Sequence, residues 1–501
     1  MLKSFAKDIM TYMPSKLLPA LTGFITLPIL TRLFMPDEYA RYVLAKGVSD
    51  FFFAMAASGV ASVPIRFLPA YKADGERSVF ITTLGVTVLG VVAAVGMVGG
   101  VSLFLLRDIL PQDLVPLLAI SLGVFAGQTV FLVLLNIVQA EMRSKMYTLF
   151  ELLDRYGNLV FGLVLVIVFG FAIEGLLWGE LLAFALLVPA LTIVALRGAK
   201  PGAKHWQRQD AGRMWQYAWP LAIGNTAMWG LRLSDQYVIA FFRSDTEVGL
   251  YSMGYHLSAR SIDLLVTLFM LTMAPMVINA WENDGRATTE DTITMITRLF
   301  LLLCLPAAVG LTVLARPVMS LLTTSAYADG ADIVGFIAFS SFAWGLAQIA
   351  GRGMLIGKNT GRIAANQGIA AAINFGLNLL LVPRFGFVMA GISNLVGYTL
   401  LIGLQAYTSR LYLTWHFPAK TLGRVVIAAI LMGVGVTVFY RMGTFGGREA
   451  PGFIWLFLSI GLGAIIYFAS LLLLQEIRKE ERAWAKRFVR QVAVHMGVVE
   501  P

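Results

Sequence analysis

The chain has 501 residues, of which 58% are hydrophobic and 14% charged, with a formal net charge of +10 and a single cysteine. Soluble domains are about 45–50% apolar and about 25% charged, so this composition excludes a water-soluble globule and points to lipid as the solvent. The lone Cys304 excludes an internal disulfide framework and a cysteine-built metal site, and the four histidines show no ligand spacing.

A bilayer core takes roughly 20 apolar residues per helical span. Runs of that length occur at 14–34, 43–69, 79–106, 113–140, 147–170, 173–196, 216–241, 249–279, 293–315, 331–355, 363–382, 386–409, 422–440 and 452–475. They predict an all-α integral membrane protein of about fourteen spans; the short alternating segments of an outer-membrane barrel are absent. The first run is too long for the apolar part of a signal peptide and is followed by Met35-Pro36-Asp37-Glu38, so it is expected to be retained. Pro14, Pro19 and Pro28 predict that this helix is bent, because each removes a backbone hydrogen bond.

Cytoplasmic loops collect Lys and Arg. With the N-terminus placed inside, 24 of the 39 basic residues fall in inside segments and 8 in outside segments. The charge is therefore largely topological, predicts both termini in the cytoplasm, and requires no nucleic acid. The inside loop 197–213 carries five positive charges and reads as a hinge between halves. The stretch 477–494 is basic and amphipathic, with Ile477, Trp484 and Phe488 on one side, and is expected to lie along the membrane surface.

The halves resemble each other. Phe169-Gly170-Phe171 and Gly175 recur as Phe385-Gly386-Phe387 and Gly391, an offset of 216 at which Asn158 also meets Asn374 and Leu163 meets Leu379. Pro14, Phe34, Asp37 and Tyr42 have counterparts in Pro220, Phe242, Asp245 and Tyr251. A repeat of six helices restores orientation and predicts parallel lobes around a central cavity. The expected divisions are a first lobe at 1–196, the linker 197–213, a second lobe at 214–412, two further spans within 413–475 and a tail at 476–501.

Charges inside spans are the informative residues, since one at a helix centre costs roughly 2.5–3.5 kcal/mol on insertion scales and normally faces a partner or a cavity. Lys46 and Asp50, and Glu151 and Arg155, are spaced i,i+4; Arg232 and Asp235, and Arg260 and Asp263, are spaced i,i+3. Such spacing puts both members on one helix face, where they either neutralise each other or line a water-filled cavity. Lys16, Arg66 and Arg298 have no local acid, and Glu180 has no local base. Arg298 is near a helix end and expected to snorkel. Lys16, Lys46, Arg66, Arg155, Arg232 and Arg260 are the candidate cavity cations, suited to a phosphate or pyrophosphate. Asp50, Glu180 and Asp235 are the candidate carriers of a coupling proton or sodium ion.

No cofactor is expected. Gly353-Met354-Leu355-Ile356-Gly357-Lys358-Asn359 misses the nucleotide loop by one residue of spacing and by Asn where Ser or Thr must hold magnesium.

Several segments resemble the polysaccharide-biosynthesis flippases. Leu30-Thr31-Arg32-Leu33-Phe34-Met35-Pro36-Asp37-Glu38-Tyr39 resembles the end of their first span, and Gly59-Val60-Ala61-Ser62 with Arg66-Phe67 resembles the second. Asp235-Gln236-Tyr237-Val238-Ile239 with Gly249-Leu250-Tyr251-Ser252 resembles the opening of their second lobe, and Asn374, Asn378, Pro383, Gly386 and Gly391 resemble spans eleven and twelve. Met389-Ala390-Gly391 departs from the Gly-Ala-Ala frequent in that family. The chain is thus similar to Wzx-type flippases of the multidrug/oligosaccharidyl-lipid/polysaccharide exporter superfamily. That resemblance implies a bacterial inner-membrane transporter with no enzymatic activity. Its substrate would be an undecaprenyl-pyrophosphate-linked oligosaccharide, flipped from the inner to the outer leaflet. It further implies membrane lipid, a polysaccharide polymerase and chain-length proteins as partners, and two extra spans that accommodate the lipid tail. The competing readings are a cation-coupled drug exporter of the same fold and a membrane glycan polymerase or ligase. The first predicts an acidic, aromatic cavity; the second needs a long outside catalytic loop.

Overall fold

The computed structural model describes residues 23–444 and 452–476. Lys16, Pro14, Pro19 and the amphipathic stretch 477–494 lie outside the described residues. Within them the chain is helical without strands. The elements are α1 (Gly23–Leu33), α2 (Pro36–Phe52), α3 (Ser58–Ala73), α4 (Arg77–Leu106), α5 (Leu114–Ala140), α6 (Ser144–Ile167), α7 (Glu174–Ala195), α8 (Arg208–Phe242) and α9 (Asp245–Asn279). They continue with α10 (Gly285–Val313), α11 (Ala315–Leu322), α12 (Ala331–Ala350), α13 (Arg352–Ile356), α14 (Thr360–Phe385), α15 (Val388–Ser409), α16 (Ala419–Thr444) and α17 (Phe453–Leu473).

Ten stretches are long and apolar enough to cross a membrane, and one of them, Asp245–Val313, holds both α9 and α10. Helices α6 and α8 have spanning length but carry too much polarity to qualify; Arg155 sits on the first and Arg232 and Asp235 on the second. With α1 these account for the fourteen spans. Apolar side chains such as Met97, Ile193 and Leu473 are more than two-thirds exposed, as expected of a lipid-facing surface.

Several helices start before the apolar run does. Helix α2 begins at Pro36 rather than 43, α8 at Arg208 rather than 216, and α10 at Gly285 rather than 293. The added turns are polar, and that of α2 is capped. Pro36 occupies the first helical position, and the Glu38 carboxylate accepts the Met35 N–H at 2.8 Å. Hydropathy follows the hydrocarbon layer, whereas the helices run on into the polar margin.

Span two packs on α5, α5 on α7 and α6 on α7; α9 packs on α12, α12 on α15 and α14 on α15. The same pairing occurs twice, so the fold is two parallel six-span lobes. The repeated glycines share a backbone conformation, with φ of +71° at Gly170 and +88° at Gly386. Only glycine adopts this freely, which is why the motif recurs at both turns. Span two is interrupted by a π-helical segment, Phe53–Ala57, that joins α2 to α3.

The inter-helix segments 74–76, 141–143, 196–207 and 410–418 fall on the basic face of the bundle. The linker that reads as a hinge is strapped to the first lobe there. Backbone N–H groups of Lys200, Gly202 and Gln207 donate to the hydroxyls of Ser78, Thr82 and Thr83 at 3.1, 3.2 and 3.3 Å. Arg77 donates to the Ala195 and Arg197 carbonyls and pairs with Glu141 at 2.9 Å.

The last two spans attach to α10. Arg298, expected to snorkel, instead pairs with Glu476 at 2.9 Å, and Glu476 also takes bonds from Thr421 and Arg424. Its partner lies 178 residues away, so no local spacing reveals it. Burial pushes the Glu476 carboxyl up, but the bonds from Thr421, Arg298 and Arg424 outweigh it and hold the group below its ordinary value of 4.5. A depressed carboxylate contributes stability above the unfolded value and loses it as pH falls through the folded one. Thermal unfolding of Glu476→Gln in detergent is therefore expected to show a lower midpoint at pH 7 and a smaller decline toward pH 4 than the parent. Parallel declines would contradict this.

Candidate functional site

The two lobes meet along span two. Toward the end of the bundle opposite the basic face, Gly249 of α9 lies against the backbone of Pro36 so closely that a Cβ would overlap the Pro36 carbonyl. Two hydrogen bonds reinforce this end, from Tyr327 to the Phe34 carbonyl at 3.1 Å and from Thr324 to the Thr31 carbonyl at 3.3 Å. Arg41 lies 3.1 Å from Asp113 and 3.8 Å from Asp245, bringing charges of both lobes together. Toward the basic face, Gly59 of α3 meets the Ala218 carbonyl of α8 in the same way, and Asn225 donates to Ser58 at 3.0 Å. Both ends of the seam are thus closed by backbone contacts that only a missing side chain permits.

Between these seals lies a cavity of about 480 Å³. Its lining includes Glu151, Arg155 and Asn158 of α6, Glu180 of α7, Thr26 of α1, and Arg260, Asp263 and Thr267 of α9. On α6 and α9 these residues recur every three or four positions, so each helix turns one polar stripe inward. Arg155 and Arg260, both expected here, line it from opposite lobes. The Arg260 guanidinium donates to the Gly23 carbonyl at 2.8 Å, and a side chain at Gly23 would strike it. The expected Arg260–Asp263 pair does not form: Asp263 lies 4.0 Å from Arg232.

Lys46 and Asp50 pair at 2.9 Å as their spacing predicts, and the ammonium also holds Glu180 at 3.1 Å. Glu180, which has no local base, gains one across the lobe and turns its other side to the cavity. Lys46 therefore bridges two carboxylates at the cavity wall.

Arg232 is not in the central cavity and does not pair with Asp235. It occupies a cleft within the second lobe, bordered by Tyr255, Asp263, Ser341, Asn394 and Tyr398, with its guanidinium 4.6 Å from the Trp344 ring centre. Asp263 lines both spaces. Asp235 is fully buried behind this cleft. Its carboxylate accepts from Tyr251 at 2.6 Å, from Asn394 at 2.8 Å and from Asn378, whose amide also reaches Asn374. The Oδ1 atoms of Asn378 and Asn394 are buried without a partner. A buried carboxylate ringed by neutral donors and orphaned amide oxygens is a donor set for a proton or a small hard cation. Among the described residues no cluster of three or more acidic, His or Cys groups offers an alternative metal site.

Arg66 departs from expectation. It is exposed on α3, 5.8 Å from the Phe67 ring centre, and is not among the cavity-lining residues. The inner face of α3 is filled by Val60, Ala61, Val63 and Leu68, which leaves residue 66 on the outside. Asn158 stands out in the sequence only as a repeat position matching Asn374, and Thr26 and Thr267 do not stand out, because an uncharged polar residue inside a span does not by itself show that it faces a cavity.

A family model described as polysaccharide biosynthesis protein matches residues 29–332. The chain is 22% identical over 245 residues to a probable low-salt glycan biosynthesis flippase, Agl15, of Haloferax volcanii, covering 49% of this chain and 51% of that protein. It is 25% identical over 325 residues to a probable lipid II flippase, MurJ, of Haemophilus influenzae, covering 60% of this chain and 61% of that protein. The matches therefore span between half and two-thirds of the length of these curated relatives. Among solved structures, the lipid II flippase MurJ in an inward closed conformation matches with a TM-score of 0.69 at 14% identity, covering 94% of this chain and 99% of that one. An inward-facing multidrug transporter of the MATE family and MOP superfamily matches with a TM-score of 0.65 at 12% identity, covering 78% of this chain and 94% of that one. These structural likenesses establish the fold.

Proposed function

We propose, because this chain belongs to the polysaccharide biosynthesis protein family, that it is a non-enzymatic flippase for a lipid-linked oligosaccharide. It carries an undecaprenyl-pyrophosphate-linked repeat unit from the inner to the outer leaflet of a bacterial inner membrane, with the basic face and both termini cytoplasmic. The observation that carries this reading is the pair Arg155 and Arg260, which face one polar cavity from opposite lobes. Two guanidinium groups so placed suit a diphosphate, which takes charge-assisted, bidentate hydrogen bonds from both. Alternating access follows if either seal on span two opens while the other holds. An apolar groove of about 430 Å³ between α10, α16 and α17, lined by Leu303, Pro306, Met432, Val436 and Phe468, suits a prenyl chain. The Asp235 cluster is the site we assign to a coupling proton or sodium ion, with the Lys46–Asp50–Glu180 group as a second titratable element.

A drug exporter of the same fold is the alternative, favoured by the three carboxylates in the lining, Glu151, Glu180 and Asp263. Two of these already hold resident cations, Lys46 and Arg232, which weakens their attraction for a cationic solute. Deleting the gene in a strain without a paralogue is expected to strand lipid-linked repeat units on the cytoplasmic face. Plasmid-borne Arg155→Ala or Arg260→Ala is expected to restore the protein to the membrane but less than about a tenth of the flipping, given roughly 1.5–3 kcal/mol per lost charged hydrogen bond. Normal surface polysaccharide in the deletion would overturn the reading.

A further inference from the structure

Arg352 opens α13 directly after the break that ends α12. The glycines on either side press against α15: a Cβ at 351 would stand 3.0 Å from Gln405 Oε1, and one at 353 would stand 2.9 Å from the Ser409 carbonyl oxygen. The backbone is thereby clamped to α15. The guanidinium reaches α9, where it donates to the Met270 sulfur at 3.3 Å, and its Nε is buried with no partner. A thioether is a weak acceptor. By contrast Lys46, Arg77 and Arg298 each hold a carboxylate. A half-buried guanidinium whose strongest partner is sulfur, with Nε left unsatisfied, is costly unless another group completes it.

The position says what that group meets. Asp263 and Thr267 line the central cavity. Met270 follows them at helical spacing, so it continues the same stripe of α9 one turn closer to the basic face. Arg352 therefore stands beside the cavity's approach from that face, outside the set that holds Arg155 and Arg260.

We propose that Arg352 is a separate anion subsite at this approach, which engages a phosphate of the lipid-linked substrate before that group reaches the central arginines. This rests on the flippase reading above. A planar guanidinium on a clamped backbone is pre-organised for phosphate oxygens, and Met270 gives up little when displaced. The headgroup of an ordinary anionic phospholipid offers the same chemistry, and the test separates the two.

The full chain is placed in phosphatidylcholine nanodiscs, and binding of undecaprenyl diphosphate and of phosphatidylglycerol is measured for the parent, R352Q, R352K and M270L. R352Q is expected to bind undecaprenyl diphosphate about ten-fold more weakly, R352K to recover part of the loss, and M270L to bind as the parent does. Phosphatidylglycerol binding is expected to stay unchanged in all four. If R352Q does not fold, weaker binding by R352K beside unchanged M270L supports the subsite, and equal binding by both overturns it. Equal binding of undecaprenyl diphosphate by parent and R352Q overturns it as well. So does a loss confined to phosphatidylglycerol, which assigns Arg352 to membrane lipid. A parent that fails to bind undecaprenyl diphosphate overturns the flippase reading itself.

Discussion

Gly249→Leu is expected to abolish transport by leaving the protein open at the end opposite the basic face. No side chain fits at this position, because its Cβ would enter the Pro36 carbonyl. The obstruction is backbone, so no rotamer relieves it. Overpacking of this kind costs about 1–3 kcal/mol where neighbours yield and more where they do not, enough to shift a two-state equilibrium by roughly five-fold to more than a hundred-fold. Gly59→Leu is expected to produce the opposite bias, since its Cβ would enter the Ala218 carbonyl near the basic face. A reporter cysteine replacing Thr267 in the cavity, on a Cys304→Ser background, separates the two. Cys304 is buried and is the chain's sole cysteine. An impermeant thiol reagent should reach the reporter from the outer face in Gly249→Leu and from the basic face in Gly59→Leu. Labelling from one and the same face in both variants would show that the glycine contacts are not the seals.

Lys46→Met is expected to destabilise the first lobe more than any single cavity substitution. The ammonium is shared by Asp50 and Glu180, and its loss leaves two carboxylates facing each other with Glu180 almost wholly buried. Breaking a buried pair by removing one member costs about 3–5 kcal/mol, because the remaining charge is uncompensated. The double variant Lys46→Met/Glu180→Gln is expected to recover more than half of the loss, since it removes the stranded charge together with its partner. Thermal unfolding in detergent measures both. A single variant as stable as the parent would mean that water already compensates Asp50 and Glu180.

These expectations draw on features that were unequally legible in the sequence. The count of spans, the two-lobe repeat and the Lys46–Asp50 pair follow from patterns within a few residues or from a fixed offset. Partners brought together by packing do not. Glu180 meets Lys46, Glu476 meets Arg298 and Arg232 meets Asp263 across helices, and no spacing rule encodes those distances. Proximity in sequence also misleads. Arg260 and Asp263 share a helix face, yet one bonds the Gly23 carbonyl and the other faces Arg232. Arg66 looked like a cavity cation because it lacks a local acid, but the apolar face of α3 turns it outward. Arg352 has no feature in the sequence that marks it, and only packing brings it to α9.

The seam glycines show the same limit from another side. Gly59 and Gly249 stand within the segments that carry the family resemblance, but a glycine's role in a close approach appears only when the opposing backbone is in place. The repeat pair Gly170 and Gly386 was more accessible, because its requirement is a local positive φ and its turn motif recurs.

The central claim is that the inter-lobe cavity carries an anionic lipid-linked glycan across the bilayer. Its most direct test is the purified chain in liposomes holding a labelled undecaprenyl-pyrophosphate oligosaccharide in one leaflet, with transfer to the other followed by an impermeant quencher or glycosidase. Transfer by the parent, its loss in Arg260→Ala, and no uptake of a cationic dye by the same liposomes is the predicted result. Dye transport without glycan transfer would contradict the account and make the chain a drug exporter of the same fold.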